Sequence, residues 1–310
     1  DLLSPDFSHE ELKKRHEAIK ELSENYNFAV ENEYNFSLVG VDNNFPNLIL
    51  ELENKKRFIK SKLLKVLFKI TSLVTTLSLL YSLISQNTYS FLIANCFIII
   101  QLFLWIVGYL QANAYVGVMK KLAPKISKYD EVISHIVNNE FKSDKLCKIK
   151  KSMEKAKVGI NELSKIASNI NQRNNGAMCI ILNTLFLWDY KNAIDLDNWK
   201  QKYSHEVKDW FETLGEVESL ISFANLPRVC TNMSLPTMTN ENNKIKSTNL
   251  GHPLINNESR VCNDFILDNN IYIISGSNMS GKTTFMRTVG INMVLASAGS
   301  YVCASNMTFS

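Results

Sequence analysis

Fifty consecutive residues, from Ile70 to Met119, carry no charged side chain. In a chain of 310 residues such a run has to be covered, either by protein or by lipid. It divides in two. Ile70 to Ser85 is apolar with interspersed Ser and Thr, and Gln86-Asn87-Thr88 forms a polar turn. Phe91 to Leu110 then has 17 apolar residues in 20, interrupted at Asn95, Gln101 and Gly108. A bilayer core of about 30 Å needs about 20 such residues in a helix. The second half meets that length alone. The first half meets it when it starts near Leu63, which places Lys65 and Lys69 near the end of the span, where they can snorkel. Tyr81, Tyr89 and Tyr109 suit an interface, and Trp105 sits deeper than an interfacial belt. Lys55, Lys56, Arg57, Lys60 and Lys62 precede the run, Lys120, Lys121 and Lys125 follow it, and the turn has no basic residue. By the positive-inside rule both chain ends face the cytoplasm. The expectation is a transmembrane helical hairpin over residues 63–119 on the cytoplasmic face of the cell membrane. The competing reading is a soluble protein in which the hairpin is a buried core element, a role that short apolar runs often fill and 50 uncharged residues seldom do.

Composition narrows the remainder. With 45% hydrophobic and 21% charged residues the chain is not disordered, collagen-like or a simple coiled coil. Eleven Gly and six Pro argue for long helices over a turn-rich all-β fold. A net charge of +4 names no partner. The six cysteines lie at least 32 residues apart and form no CxxC, so free thiols in a reducing compartment are expected. The five histidines show no metal-ligand spacing, and His9 and His16 read as a solvated pair. The first residue is Asp1 and no signal peptide opens the sequence, which is expected to be a piece of something longer.

Outside the hairpin the periodicity is helical. Ser8-His9-Glu10-Glu11 reads as an N-cap opening a helix from Glu10 to Asn25. Apolar residues at 149, 153, 156, 160, 163, 167 and 170, and again at Trp210, Leu214, Val217, Ile221 and Ala224, form core stripes. Ala177 to Trp188 is apolar nearly all round and predicts a short buried helix. Residues 225–250, rich in Asn, Thr, Ser and Pro, read as a linker or a strand-and-turn start to a new domain. Residues 120–165 hold twelve lysines against six acids. A solvated helical face accounts for them first. Of the other two readings, their position after the hairpin favours the anionic inner leaflet over nucleic acid.

Near the C-terminus, Ile271-Tyr272-Ile273-Ile274 predicts a strand. It leads into Gly276-Ser277-Asn278-Met279-Ser280-Gly281-Lys282-Thr283, which fits GxxxxGK[ST], and an apolar helix follows from Thr284 to about Ala298. Glycines let backbone amides curl around a phosphate without Cβ clashes. The helix aims its positive end at the same anion. Lys282 would meet the β- and γ-phosphates of a nucleotide, and Thr283 would ligate Mg²⁺.

The stretch Gly276 to Ala304 resembles the ATPase domain of the MutS mismatch-repair family, in the Asn-Met inside the loop, the Met-Arg after it and Gly299-Ser300-Tyr301-Val302. Gly251-His252-Pro253-Leu254 and Val261-Cys262-Asn263-Asp264 resemble the opening of that domain, and Trp210, Leu214, Gly215, Glu216 and Ser219 to Ala224 the core segment before it. The likeness is close over roughly residues 203–305 and vague over 120–200. Over 1–62 only a Lys-Arg-rich helix with a Glu-Leu pattern resembles the lever of some membrane-bound relatives. The resemblance implies ATP and Mg²⁺ as ligands, with Lys282 and Thr283 on nucleotide and metal. Gly276, Asn278, Gly281 and Thr284 would form the phosphate cradle together with Ser277, Met279 and Ser280, and Asn278 would lie near the γ-phosphate. Met279 and Met286 fit packing better than function. Val261 to Asn263 fall where the family contacts the nucleotide base.

The departures carry equal information. An acidic Walker B strand, a signature motif and a switch histidine should lie beyond Ser310, 28 residues after Lys282. ATP hydrolysis is therefore expected of the intact protein, with no catalytic residue in this chain. Because the superfamily's second subunit supplies the signature, a homodimer through the ATPase domain is implied. None of the sixteen Phe residues stands in the Phe-x-Glu that the family wedges beside a mismatch.

The expected fold is mainly α. A lever-like helical segment (1–62) leads into the hairpin (63–119) and a helical core or lever (120–240), followed by the start of an α/β P-loop ATPase of ABC type (241–310). Two functions follow. One is ATP-dependent binding of mismatched or branched double-stranded DNA in repair or recombination, tethered to the membrane. The other is a membrane-anchored ATPase for signalling, assembly or transport that does not touch DNA.

Overall fold

The computed structural model describes residues 8–39, 51, 58–59, 61–239, 244–268, 270–277 and 280–310. The basic flank at Lys55, Lys56, Arg57 and Lys60 lies outside the described residues, as do Asn278 and Met279. The molecule is mainly helical with one small mixed sheet. In chain order the helices are α1 (His9–Glu24), α2 (Tyr26–Val39), α3 (Lys62–Ser85), α4 (Thr88–Asn138), α5 (Asp144–Asn171), α6 (Gly176–Phe186), α7 (Trp188–Val229) and α8 (Lys282–Ser297). The strands are β1 (Thr237–Met238), β2 (Lys244–Leu250), β3 (Asn263–Asp268) and β4 (Asn306–Phe309). Two compact units form. One takes the N-terminal residues to Phe36, Ile136–Ser152 and Thr213–Ser310, and the other takes Ser37–His135 and Met153–Glu212. Helices α2, α4, α5 and α7 each contribute to both.

In the first unit, α1 starts where the sequence predicts. The Ser8 hydroxyl accepts the Glu11 amide at 3.3 Å, satisfying one orphan donor of the first turn. Leu12, Ala18, Ile19 and Leu22 form its buried face. Near its end, Glu21 accepts the amides of Lys142 and Ser143, both at 2.7 Å, and so caps the start of α5 from outside that helix. Phe28 of α2 meets Phe141 edge to face at 5.2 Å. Residues 225–229, expected in a linker, continue α7 through Pro227 in its last turn. Arg228 donates to the Ser23 carbonyl at 2.8 Å and lies over the Tyr26 ring. The sheet has strand order β1-β4-β2-β3, with β2 antiparallel to both neighbours and β1 parallel to β4. Alternation puts Met307 and Phe309 of β4 on the buried side, while on β2 Ser247 and Leu250 are both buried across an irregularity in the β2–β3 register.

The expected strand at Ile271–Ile274 does not form. Ile271 and Ile273 are 96% and 88% exposed. An apolar run of this kind becomes a strand when neighbours complete its ladder and both faces are covered. The sheet stops at β3 on that side, and no described strand lies beside the run.

In the second unit, α3 begins at Ser61, whose hydroxyl accepts the Leu64 amide, and stops at Gln86 in the left-handed region (φ 49°). The Asn87 side chain accepts the Tyr89 amide at 3.1 Å to start α4, and Ser85 and Ser90 share a hydrogen bond of 2.7 Å across the turn. Deeper in the hairpin, Gln101 donates to the Thr75 hydroxyl at 3.0 Å, with both side chains fully buried. Lys62–Ser85 and Thr88–Leu110 are long and apolar enough to cross a membrane, with mean hydropathies of 1.7 and 2.4. Only 6% and 17% of their most apolar stretches are buried within the chain. Leu63, Leu73, Leu77, Ile84, Phe103, Ile106 and Val107 all point outward. Helix α4 does not end with the apolar run; it is 51 residues long and passes Pro124 to end at Asn138.

The expected helix after Ala177 is present as α6, but it is not a buried one. Asn183 is its only buried residue, and Met178, Ile180, Ile181 and Phe186 are exposed. Its apolar circumference has too little protein around it to be covered on every side.

The two predicted stripes are core. Ile149, Met153, Ala156, Ile160, Leu163, Ala167 and Ile170 of α5 are all buried, as are Trp210, Leu214, Val217, Ile221 and Ala224 of α7. Gly159 lets α5 and α7 approach closely. The Trp199 indole donates to its carbonyl at 2.7 Å, and a Cβ built there would stand 2.4 Å from the Trp210 ring. Gly159→Ala should therefore destabilise the protein by about 1–3 kcal/mol in urea unfolding, although alanine is the better helix former. A neutral or stabilising result would mean that the Trp210 ring moves aside freely.

Candidate functional site

The site is built on α8. Its N-cap is Gly281, at φ 85°, a conformation that only glycine adopts without strain. Among the described residues no side chain caps the helix, which leaves its first-turn amides to an external acceptor. Lys282 follows at once. Its ammonium folds over the loop, donating to the Ser277 carbonyl at 2.6 Å and to the Gly276 carbonyl. The Ser280 amide bonds to Ser277 O at 3.3 Å and tightens the same turn. At Gly276 a Cβ would come within 2.7 Å of the Ser280 hydroxyl, which would have to rotate away. Thr283 and Thr284 are exposed in the first turn, and the Thr284 carbonyl accepts the Thr288 hydroxyl at 2.8 Å.

The structure thus brings Gly276, Ser277, Ser280, Gly281, Lys282, Thr283 and Thr284 together around one turn. A lysine ammonium and the positive end of a 16-residue helix converge there, which is a suitable setting for an anion.

Two side chains that the sequence reading overlooked hold α8 in place. Asn292 is fully buried and bonds in three directions. Its amide donates to Gly251 O at 2.9 Å and to Thr288 O at 2.8 Å, and its carbonyl accepts the Cys303 amide at 2.7 Å. A lone Asn among Ile, Met, Val and Leu was the available signal. The loop at Gly251 is itself crowded, since a Cβ there would meet Arg260 at 2.5 Å and Cys262 at 2.9 Å. Burial raises the pKa of the neighbouring Cys303 thiol, and the Arg260 guanidinium offsets part of that rise.

The second is Arg15 of α1, 1% exposed. Its Nε donates to the Ala298 carbonyl at 3.0 Å, one of the last carbonyls of α8. The helix ends there in a Schellman motif, with Gly299 at φ 75°, Gly299 N on Ala296 O and Ser300 N on Leu295 O. A Cβ on Gly299 would press against Leu12 and Arg15 at 3.2 Å. Burial lowers the Arg15 pKa, and the carboxylates of Glu216 and Glu11 pull it back up. Lys145 binds Glu216 at 2.6 Å and also Glu11, which links α1, α5 and α7 around the buried guanidinium. Nothing in the sequence distinguishes Arg15 from a solvated Lys-Lys-Arg run.

The geometry defines a glycine-bounded anion turn at the head of a helix that is anchored at its far end. Residues 272–310 match the family model of MutS domain V. The chain is similar to the DNA mismatch repair protein MutS of Alkaliphilus metalliredigens (strain QYMF), 35% identical over 116 residues that cover 34% of this chain and 13% of that protein. It is likewise similar to the MutS of Clostridioides difficile (strain 630), 31% identical over 125 residues, 38% of this chain and 13% of that protein. To that of Staphylococcus aureus (strain JH9) it is 32% identical over 120 residues, 37% of this chain and 14% of that protein. The MutS resemblance read from the sequence therefore holds over the C-terminal part of the chain, which spans about 13% of the length of these curated relatives.

Proposed function

We propose that this chain is part of a membrane-tethered, MutS-like ATPase that binds mismatched or branched double-stranded DNA under ATP control. The carrying observation is the turn at Gly281-Lys282, where an uncapped helix N-terminus and an ammonium converge within the segment that matches MutS domain V. Gly276, Ser277, Gly281, Lys282 and Thr284, with Asn278, Met279 and Ser280 in the same motif, are the residues that would hold ATP, and Thr283 would hold its Mg²⁺. The open turn at Gly281 and the exposed Thr283 fit those groups. The bound nucleotide supplies a γ-phosphate that can join and release subunits. This chain's own part is to orient the phosphates and neutralise their charge.

In this reading residues 1–62 and 120–240 are lever and core, 241–310 begin the ATPase domain, and a homodimer forms through that domain. Residues 63–119 span the membrane and leave both ends on its cytoplasmic face. The outward-facing leucines, isoleucines and phenylalanines of α3 and α4 support the tether. The same hairpin favours a second reading, in which the ATPase serves a membrane task and does not contact DNA. Fluorescence anisotropy with the natural full-length protein in nanodiscs, at one stated salt concentration, separates the two. The first reading expects tighter binding to mismatched or branched DNA than to homoduplex, altered by ATP. Equal binding to every duplex, unchanged by ATP, would discard it in favour of the second.

A further inference from the structure

The exposed face of the hairpin stops at a cavity. It has a volume of about 330 Å³ and lies between α3 and the α6–α7 junction. Lys65, Lys69 and Lys191 line it, together with Asp195 and the rings of Phe68 and Trp188. That volume is at the small end of the roughly 300–1,000 Å³ typical of small-ligand sites.

Three observations define its chemistry. The first is charge. Three ammonium groups and one carboxylate line the cavity, and none of the three lysines forms an ion pair within 4.0 Å among the described residues. Lys65 donates only to the neutral Asn198 side chain at 3.2 Å, and Lys191 lies over the Trp188 ring at 4.7 Å. Burial raises the pKa of Asp195, and Lys191, Lys69 and Lys65 oppose that rise, so all three cations act on one point.

The second is depth. Ser85 and Ser90 close the hairpin at one end, and Gln101 bonds Thr75 part-way along it. From Ile70 to that turn α3 rises about 24 Å at 1.5 Å per residue. This approaches the roughly 30 Å of a bilayer core and puts Lys65 and Lys69 at headgroup level. Lysines in a spanning helix are costly unless something pairs with them.

The third is continuity. The Ser72 hydroxyl donates to Leu185 O at 2.9 Å, which fixes the end of α6 beside the cavity. Above it, α3 presents Leu73 and Leu77, and α6 presents Ile180 and Ile181, all outward. A cationic cup under an uncovered apolar wall matches a molecule with an anionic head and hydrocarbon tails.

We infer that the cup formed by Lys65, Lys69 and Lys191 holds the phosphate headgroup of an anionic phospholipid, with its acyl chains along α3 and α6. The inference rests on the membrane reading of the hairpin. It adds to that reading a specific lipid site, separate from the general attraction of the 120–165 lysines to a charged surface.

The test uses the natural protein in detergent micelles, titrated with headgroup-labelled phosphatidylglycerol or phosphatidylcholine. The wild type should prefer phosphatidylglycerol. The triple variant Lys65→Gln, Lys69→Gln, Lys191→Gln should lose about 100-fold in that affinity, on the basis of roughly fivefold per lysine. Asp195→Asn should tighten binding, which a misfolded variant would not do. Equal affinity for the two lipids, or a triple variant that binds like the wild type, would overturn the site. Displacement of the labelled lipid by millimolar inorganic phosphate would overturn the lipid assignment in favour of a free-anion site. Alkaline carbonate extraction of cell membranes tests the tether by itself. Release of the protein would refute the hairpin reading, whatever the micelle titration shows.

Discussion

Lys282→Ala is expected to lower the affinity for ATP by about 100-fold and to leave the fold intact. A charge-assisted hydrogen bond contributes roughly 1.5–3 kcal/mol, and about 1.4 kcal/mol is a factor of ten. Because the ammonium rests on the Ser277 and Gly276 carbonyls, its removal costs the folded protein little. Titration with a fluorescent ATP analogue, alongside circular dichroism, measures both effects. Thr283→Ala should behave differently. Nucleotide would still bind without metal, but the gain on adding Mg²⁺ would be lost. If Lys282→Ala bound nucleotide as tightly as the wild type, the turn would not be the phosphate site and the proposed ATPase would lose its main support.

The second large effect is expected far from the loop. Arg15→Met should destabilise the protein by about 2–4 kcal/mol in urea unfolding. The variant leaves the buried Ala298 carbonyl without its donor and removes a cation from the negative end of α8. It also removes one cation from beside Glu216, leaving Lys145 at 2.6 Å. Arg15→Lys keeps the charge without the planar fork and should recover only part of the loss. Hydrogen exchange should show Gly299 and Ser300 losing protection ahead of the helix centre. A change within 0.5 kcal/mol, with those amides still protected, would show that the Schellman turn holds the helix end unaided.

Much of the helical layout is legible in residue spacing. The start of α1 follows from Ser8 and two glutamates, because cap and dipole act over a single turn. The α5 and α7 stripes follow from a 3–4 repeat that tertiary context did not override. The hairpin follows from the absence of charge. Where the reading failed, the missing information is non-local. Ile271–Ile274 has strand composition, but pairing depends on neighbours that composition does not reveal. The apolar circumference of α6 says that something must cover it and not whether that is protein. The division of α2, α4, α5 and α7 between the two units depends on where the chain passes from one to the other, which leaves no local signature. At the site, the glycines and Lys282 are visible because the motif is contiguous. Arg15 is not, and Asn292 shows only as a lone Asn in an apolar helix, since their partners at Ala298, Gly251 and Cys303 lie 11 to 283 residues away.

The bond between Gln101 and Thr75 bears on how such a hairpin would be made. An amide side chain that enters hydrocarbon alone finds neither water nor a partner, and that cost falls on α4 at the middle of its apolar stretch. α3 is the less apolar of the two helices and brings its own buried hydroxyls at Thr75 and Ser82. Neither helix is a self-sufficient traveller. On the proposed membrane reading, α3 would emerge first during synthesis and wait at the membrane surface until Gln101 had left the ribosome, 26 residues after Thr75. The hairpin would then enter the bilayer closed, as one unit, with the Gln101 amide nitrogen already bonded to Thr75.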